Sequence, residues 1–206
     1  MFTVPKSRFD REMAQIGLQK MPALKEEPQF YPQDIFEEQA CKEVSDEESW
    51  WVLHTRPRSE KALARMLRAK QTAYFLPQSK TKRYVQRRCV TTVTPLFPGY
   101  LFLYGSSKSY EVALQTRKVV SRLEVSDQQR LQEELARLHF LITQEVPLEA
   151  EAGFAKGTRV EITEGSLKGL VGKVTRRDGV SRVILEIQML NQGVSVQVED
   201  WMLRKV

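Results

Sequence analysis

The sequence is poor in the residues that build metal sites and catalytic centres. It has two cysteines and two histidines in 206 residues, and Cys41 and Cys89 form no C-x-x-C pair. This usage argues against a zinc site or a disulfide framework and is typical of a reducing cytoplasm. The G-x-x-x-x-G-K-[ST], G-x-S-x-G and H-E-x-x-H motifs are also missing. We therefore expect no enzymatic activity and no cofactor.

Long apolar segments are missing as well. No apolar run approaches the roughly 20 residues that span a bilayer, and the first stretch, MFTVPKSRFDREMAQIG, has no signal-peptide character. We expect a cytoplasmic protein with no membrane partner. Hydrophobic residues make up 41% of the chain, which is enough for a core, and the length suits one or two domains.

Acidic residues are scarce in one segment of the chain. The net charge is +6, but residues 50–90 carry 11 basic residues and one acidic residue, whereas residues 1–49 carry 6 basic and 11 acidic ones. A basic block of this kind is a candidate contact surface for phosphate, and the alternative is a solvated basic face without a partner. We favour nucleic-acid contact, and we expect the acidic arm to fold back on the basic face in the free protein.

Composition divides the chain into four parts. Residues 1–49, with four prolines and weak periodicity, are expected to form a mostly disordered acidic arm. Residues 50–143 are interpreted as an α+β unit, in which WWVLHT and GYLFLY are strands and RPRSEKALARMLRAK is a helix. Residues 144–156 are expected to be a linker. Residues 157–206 contain short strands separated by turn signals, which favours a small barrel.

The segment SDQQRLQEELARLHFLI predicts a further helix, with Ser126 as its N-cap and Gln129 completing a capping box. Of the two histidines, His139 falls on the inner half of this helix and is interpreted as a packing residue. His54 ends the first predicted strand and is a candidate for contact with a partner. Neither histidine has a plausible catalytic nucleophile or metal partner in the sequence.

Three stretches, in this order and spacing, carry a family resemblance. WWVLHTRPRSEKALARML and PLFPGYLFL resemble the NGN domain of the NusG family of transcription elongation factors, and GTRVEITEGSLKGLVGKV resembles its KOW motif. The resemblance covers residues 50–206. Within it, the sequence PLFPGYLF is similar to the corresponding segment of the specialised RfaH-type members. It implies an α+β fold, with an NGN-type antiparallel sheet and flanking helices followed by a small all-β, SH3-like KOW barrel.

The resemblance implies that the NGN domain presents an apolar depression to the clamp helices of bacterial RNA polymerase. The polymerase-binding residues expected on this basis are Leu53, Leu96, Phe97 and Tyr100. Proline biases the residue before it to an extended shape, so Phe97 can be held outward as an anchor. The alternative that the residues leave open is that Phe97 belongs to the core.

With that domain on the clamp, the resemblance implies that the arginine-rich helix faces upstream DNA or the non-template strand. The expected nucleic-acid-binding residues are Arg56, Arg58, Lys61, Arg65, Arg68, Thr116 and Arg117. Affinity at such a surface comes from phosphate neutralisation and falls with salt. Ala62 and Met66 stand where DNA-reading relatives have polar or basic groups, which argues against sequence-specific recruitment.

The KOW half is expected to recruit a second protein, either a small-subunit ribosomal protein or the termination factor Rho. Its contact loop is EGSLKGL, with Leu167, Lys168 and Leu170 as candidate contacts. The alternative for Leu167 is that it closes the end of the barrel. Residues of high strand propensity in RVILEIQML and VSVQV predict strands at rest, rather than the helical hairpin that masks the polymerase site in RfaH-like proteins.

The chain is thus expected to be a monomeric elongation or antitermination factor that suppresses pausing or termination. Two alternatives stay open: a housekeeping NusG that acts on all genes and, less favoured, an RNA- or ribosome-binding KOW protein. Chromosomal occupancy beside polymerase separates the specialist from the general factor. A polymerase pull-down separates both from the third interpretation, in which the NGN-like half has no purpose.

Overall fold

The structure, a computed structural model, describes residues 27–40, 48–85, 88–152, 157–177 and 179–206. Its first part, which we call the mixed unit, contains a five-stranded sheet, a two-stranded hairpin and helices. The strands of this unit are β1 (Phe30–Tyr31), β2 (Ser49–Thr55), β3 (Tyr74–Phe75), β4 (Gln78–Val85), β5 (Arg88–Pro95), β6 (Tyr100–Gly105) and β7 (Val119–Leu123). The helices are α1 (Ile35–Ala40), α2 (Glu60–Ala69), α3 (Ser107–Gln115) and α4 (Gln128–Thr143).

The five-stranded sheet is antiparallel, with the strand order β1-β3-β6-β2-β7. Successive side chains of a strand point to opposite faces, so the apolar run of β6 can serve two cores. Leu101 and Leu103 lie with the buried stripes of α2 and α3 on one face. Phe102 lies in a second cluster with the inner leucines of α4. The predicted antiparallel sheet with flanking helices is therefore confirmed.

Two carboxylates at helix starts accept backbone hydrogen bonds, one from a distant loop and one as a helix cap. Glu60, in the first turn of α2, accepts a hydrogen bond from the backbone N–H of Gly99 at 2.7 Å. At the start of α4, the cap is Asp127 rather than the predicted Ser126, and its carboxylate accepts from the N–H of Arg130 at 2.9 Å. The cap falls one residue later than expected because Asp127 still has extended backbone angles, with φ −131° and ψ 91°.

The second part, which we call the all-β unit, is a six-stranded antiparallel sheet. Its strands are β8 (Leu148–Ala152), β9 (Thr158–Ile162), β10 (Val171–Arg177), β11 (Val180–Ile187), β12 (Gln192–Val198) and β13 (Leu203–Lys205). Their order is β13-β9-β10-β11-β12-β8, and within the described residues β8 and β13 are the outer strands. The prediction of an all-β second half is confirmed. The segment that forms a helical hairpin in RfaH-like proteins contains the strands β10, β11 and β12 here.

Strand β8 lies within residues 144–156, where the sequence predicted a linker. It pairs with β12 over five residue pairs, and its Leu148 is 8% exposed. The carboxylate of Glu149 lies 2.6 Å from the guanidinium of Arg182 on β11. The all-β sheet therefore begins earlier than residue 157, while residues 153–156 lie outside the described part of the chain.

Residues 27–40, which we call the N-terminal segment, belong to the mixed unit, although the sequence predicted a mostly disordered arm up to residue 49. β1 pairs with β3 at the edge of the sheet, Ile35 is 2% exposed, and the ring of Phe36 stacks on that of Trp50. Burial of these apolar side chains offsets the entropy of ordering the segment. The disorder expected for residues 1–26 and 41–47 lies outside the described residues.

One buried cluster joins the two units. It runs from the inner stripe of α4, with Leu135 at 0% exposure, into the interior of the all-β sheet, with Val194 at 0%. The hydroxyl of Ser79 donates to the carbonyl of Leu148 at 2.9 Å. The two units thus pack against each other in this form.

Glu134 of α4 connects the same two units. Its carboxylate accepts from Nε of Arg130 at 3.2 Å and from the backbone N–H of Gln188 in the all-β unit at 3.1 Å. Burial raises the pKa of Glu134 in spite of these bonds, which act in the opposite direction. Both oxygens of this buried carboxylate are therefore hydrogen-bonded, and one of the two bonds ties α4 to the all-β unit.

His139, on α4, packs against aromatic rings of the N-terminal segment, as its interpretation as a packing residue implied. Its ring lies 4.8 Å from that of Phe30 and 4.4 Å from that of Phe36, between ring centroids. Burial lowers the pKa of His139, and the nearby Glu37 carboxylate only partly opposes this shift. The folded state therefore favours the neutral imidazole.

A pH-dependent stability follows from this burial. Because the folded pKa of His139 lies below the ordinary value of about 6.5, the unfolded chain takes up the proton first as the pH falls. The stabilisation is present above that value and is lost as the pH falls through the folded pKa. We expect His139→Phe to flatten the slope of unfolding free energy between about pH 7 and 5, measured by urea unfolding. An unchanged slope would contradict the assignment.

Candidate functional site

The four candidate polymerase contacts do not form one exposed patch. Leu53 is fully buried on the α2 side of the sheet. Leu96 and Phe97 are each 1% exposed and belong to the cluster on the α4 side. Tyr100 is half-buried against that same cluster. The structure therefore separates Leu53 from the other three residues and places Phe97 in the interior.

The Phe97–Tyr100 turn is fixed by its backbone. Gly99 has φ +85°, a left-handed conformation that glycine adopts without steric cost. The N–H of Tyr100 donates to the carbonyl of Phe97 at 3.1 Å, and the N–H of Thr55 donates to the carbonyl of Gly99 at 2.8 Å. The Phe97 ring meets Phe102 edge to face, with centroids 6.2 Å apart. The turn thus directs Phe97 inward in this form.

Three exposed arginines lie next to this turn, and we call them the basic corner: Arg56, Arg58 and Arg117. The backbone N–H of Arg56, which follows β2, donates to the carbonyl of Lys118 at 2.9 Å, so the two loops are joined. Arg58 and Arg117 have φ +59° and +58°, which is uncommon outside glycine and costs on the order of 1 kcal/mol each. The structure thus places three of the seven predicted nucleic-acid contacts, all exposed, on two loops that are bonded to each other.

Thr116, a fourth predicted contact, has a structural role in the same loop. It is 9% exposed, its hydroxyl donates to the carbonyl of Ala113 at 2.6 Å, and the hydroxyl accepts from the N–H of Lys118 at 3.2 Å. These bonds use the hydroxyl to end α3 and to hold Arg117 at the surface. The half-buried Lys118 adds a cation that the sequence reading missed, since only the fold brings it beside Arg56.

The remaining predicted contacts, on α2, have partners within the protein. The ammonium of Lys61 donates to the carbonyl of Val93 on β5 at 2.6 Å. The guanidinium groups of Arg65 and Arg68 lie 3.1 and 3.0 Å from the carboxylate of Glu27 in the N-terminal segment. The basic face of α2 is therefore partly neutralised by the chain itself, as the fold-back of an acidic arm predicts at this one residue.

A stack of side chains from three elements was missed by the sequence reading. The rings of Trp51 and Tyr110 are parallel, with centroids 5.0 Å apart. The guanidinium of Arg122 lies 5.0 and 5.2 Å from the two ring centroids. This cation–π arrangement fixes α3 against β2 and β7. No sequence signal joins residues this far apart along the chain.

In the all-β unit, the candidate loop is divided between interior and surface. Leu167 and Leu170 are 7% and 5% exposed, whereas Lys168 is exposed. Leu167 also lines a cavity of about 370 Å³. Its lining also includes Val146, Glu149, Glu164, Arg182 and Met202. A partner at this loop would therefore meet Lys168 directly and Leu167 only through the cavity.

Two further absences apply to the described part of the chain. There, no group of three or more histidine, cysteine or acidic side chains is placed to hold a metal ion. Nor, in the same ranges, does any helix combine the length and the apolar composition that crossing a bilayer requires.

The structure is a mixed sheet unit followed by an all-β unit, and comparison with family models places the chain in a class of transcription factors. The family model described as "Transcription termination factor nusG" matches residues 48–160, just over half of the chain. The chain belongs to the NusG family, a family of transcription factors.

The structure titled "Domain interaction in Thermotoga maritima NusG" is 19% identical, covers 77% of this chain and 97% of its own, and has a TM-score of 0.43. Two conformations of an MjSpt4:Spt5 complex are 15% and 17% identical, cover 76% of this chain and 97% and 96% of their own, and each have a TM-score of 0.25. No curated protein matches the chain significantly.

Proposed function

We propose that this chain is a cytoplasmic elongation or antitermination factor that binds bacterial RNA polymerase through its mixed unit and suppresses pausing or termination. One observation carries the proposal beyond family membership. The Phe97–Tyr100 turn and the basic corner adjoin, because Thr55 bonds to Gly99 and the next residue, Arg56, bonds to Lys118. An apolar anchor and a phosphate-binding surface side by side fit a partner that is both protein and nucleic acid.

The apolar part of this surface is closed in the structure. Phe97 is 1% exposed within a cluster that both units share, so contact of its ring with the polymerase clamp helices requires that cluster to open. A binding-competent form that is only fractionally populated lowers the apparent affinity by that fraction. Tyr100, which is half-buried, is the member of the set that is accessible before opening.

The proposed mechanism is a shift of conformational populations. A factor that binds the active polymerase more tightly than the paused polymerase favours elongation. The shift between the two states is limited to the factor's difference in affinity for them. The basic corner adds contact with upstream or non-template DNA, whose strength falls with salt. This mechanism uses binding energy alone and requires no cofactor.

The all-β unit is proposed as the site for a second partner, a small-subunit ribosomal protein or Rho. Lys168 and the cavity lined by Leu167 are the features that favour this loop. The specialised RfaH-type role and the general NusG role remain separate proposals, and mapping chromosomal occupancy beside polymerase distinguishes them. Confinement to a few operons supports the specialist, and occupancy of all transcribed genes supports the general factor.

The test of the proposed function is co-purification of the full chain with bacterial core RNA polymerase. We expect retention of the chain on the polymerase and weaker retention of Tyr100→Ala. Phe140→Ala, which removes a 38% exposed aromatic ring from α4, serves as the matched control and should be retained normally. If the chain instead sediments with ribosomes and is not held by polymerase, the RNA- or ribosome-binding alternative replaces the proposal.

A further inference from the structure

Glu27 is a buried carboxylate facing two arginines of the basic helix. Its side chain is 1% exposed, and its two oxygens lie 3.1 Å from Nε of Arg65 and 3.0 Å from a terminal nitrogen of Arg68. The contact with Arg65 is an aligned hydrogen bond. The contact with Arg68 is an ion pair without hydrogen-bond geometry. Arginines three residues apart on a helix share one face, so a single anion can meet both.

The two arginines keep an open side. Their side chains are 41% and 42% exposed, although the carboxylate between them is buried. Guanidinium groups bind carboxylate and phosphate oxygens through the same planar donors. A phosphate that approached from solvent would therefore find the donors of Arg65 and Arg68 turned partly inward, toward Glu27.

The N-terminal segment is held to the mixed unit by bonds that do not use the Glu27 carboxylate. The hydroxyl of Tyr74 donates to the carbonyl of Pro28 at 3.1 Å, and the N–H of Gln78 donates to the side-chain oxygen of Gln29 at 2.8 Å. The side-chain amide of Gln78 also donates to the backbone carbonyl of Glu27 at 3.2 Å. The charge of Glu27 can therefore be removed while these anchors remain.

The Tyr74 hydroxyl lies within electrostatic reach of both Glu27 and Arg68. The pKa of the Tyr74 hydroxyl is raised, chiefly by burial and next by the charge of Glu27, with Arg68 opposing. The segment thus places a carboxylate against the face of α2 that carries Arg65 and Arg68.

We propose that Arg65 and Arg68 form a binding site for nucleic-acid phosphates and that Glu27 occupies this site as an intramolecular competitor. The inference rests on the proposed contact of the basic face with nucleic acid, and it adds regulation by the N-terminal segment. In the resting chain the basic corner alone meets DNA. Displacement of Glu27 then adds two cations, which lie together on one face of α2, to the contact with DNA.

The test compares three variants of the full chain in binding short single-stranded and duplex DNA oligonucleotides. Glu27→Gln removes the competing charge and keeps the shape of the side chain. Glu37→Gln, on the exposed side of the same segment, removes the same charge elsewhere. The triple variant Glu27→Gln, Arg65→Gln, Arg68→Gln removes the site without leaving a buried charge unpaired, since unpaired buried charges disrupt folds.

For Glu27→Gln we expect the slope of log affinity against log salt to steepen by about 1.8 for duplex DNA and about 1.4 for single strands, because two further phosphates are neutralised. On duplex DNA this corresponds to a roughly tenfold greater loss of affinity between about 50 and 200 mM salt. The triple variant should return to the slope of the wild type. Glu37→Gln should not steepen it.

An unchanged slope in folded Glu27→Gln, or a steeper slope that persists in the triple variant, overturns the inference. Thermal unfolding by circular dichroism verifies that each variant is folded. Should Glu27→Gln not fold, the Nε–H resonance of Arg65 in the wild type decides. It should shift on titration with DNA, and a resonance that stays fixed while Arg56 responds contradicts the competition. If neither the wild type nor any variant binds DNA, that result counts against the proposed function instead.

Discussion

Phe97→Ala is expected to lower the free energy of unfolding by about 3–5 kcal/mol. Phe97 is 1% exposed, packs edge to face on Phe102 and lies in the cluster that joins the mixed and all-β units. Removing the ring therefore forfeits its transfer energy and leaves a cavity that the neighbours only partly fill. Domains are typically stable by about 5–15 kcal/mol, so the loss is a large fraction of the total. Urea unfolding followed by circular dichroism measures it.

Phe140→Ala is the matched control for this loss. That ring is 38% exposed on α4, so its truncation should cost only about 1 kcal/mol, because a smaller apolar area returns to water and no closed cavity forms. Equal losses in the two variants would show that Phe97 is not a core residue. The outward-anchor interpretation from the sequence predicts such a small effect for Phe97, which is why stability is the decisive measurement.

A gentler substitution separates the core role of Phe97 from a role in polymerase binding. Phe97→Leu keeps most of the apolar volume and should cost about 1–2 kcal/mol of stability. If the ring also anchors the clamp helices after the cluster opens, affinity for polymerase should fall about tenfold in this folded variant. Affinity equal to that of the wild type leaves Phe97 with a core role only.

Neutralising the basic corner is expected to have the largest effect on nucleic-acid contact. In Arg56→Gln, Arg58→Gln, Arg117→Gln the slope of log affinity against log salt, measured with an elongation complex, should fall by about 2–3. Three such contacts correspond to a change on the order of 40-fold between about 50 and 200 mM salt. The reason is that these arginines are exposed. By contrast, Lys61 is bonded to a backbone carbonyl, and Arg65 and Arg68 are paired with Glu27.

Three exposed cations of the all-β unit provide a variant of equal charge: Arg159, Lys168 and Lys205. Their replacement by glutamine should leave the slope nearly unchanged, because they lie on a different unit from the corner. A similar drop in both variants would indicate that net charge, rather than the geometry of the corner, governs binding. In that outcome the basic corner has no specific role.

Local patterns explain which elements the sequence could predict. The apolar spacing of α2, with Leu63 and Leu67 fully buried, and the apolar run of β6 are properties of a few consecutive residues. The strands of the all-β unit follow from the same kind of signal. The segment LEAEA carries a signal of this kind, since its apolar and acidic residues alternate, but we expected a linker there. It forms β8 at the edge of the sheet.

Distance along the chain explains what could not be predicted. The ion pair between Glu27 and Arg65 joins residues 38 positions apart. Its acidic member stood in a stretch whose prolines and weak periodicity indicated disorder. The Trp51, Tyr110 and Arg122 stack likewise draws on three elements. No periodicity encodes such meetings, since they depend on how the elements pack.

The sequence by itself determined the two-part plan, the basic block, the family resemblance that the match to residues 48–160 bears out, and the identity of the arginines available for phosphate. Only the tertiary structure decided which of them are free. It pairs Arg65 and Arg68 with Glu27, leaves the basic corner exposed, and turns Phe97 into a cluster shared by both units. The physical reason is that secondary structure and charge follow from neighbouring residues, whereas burial and ion pairing depend on which distant surfaces meet.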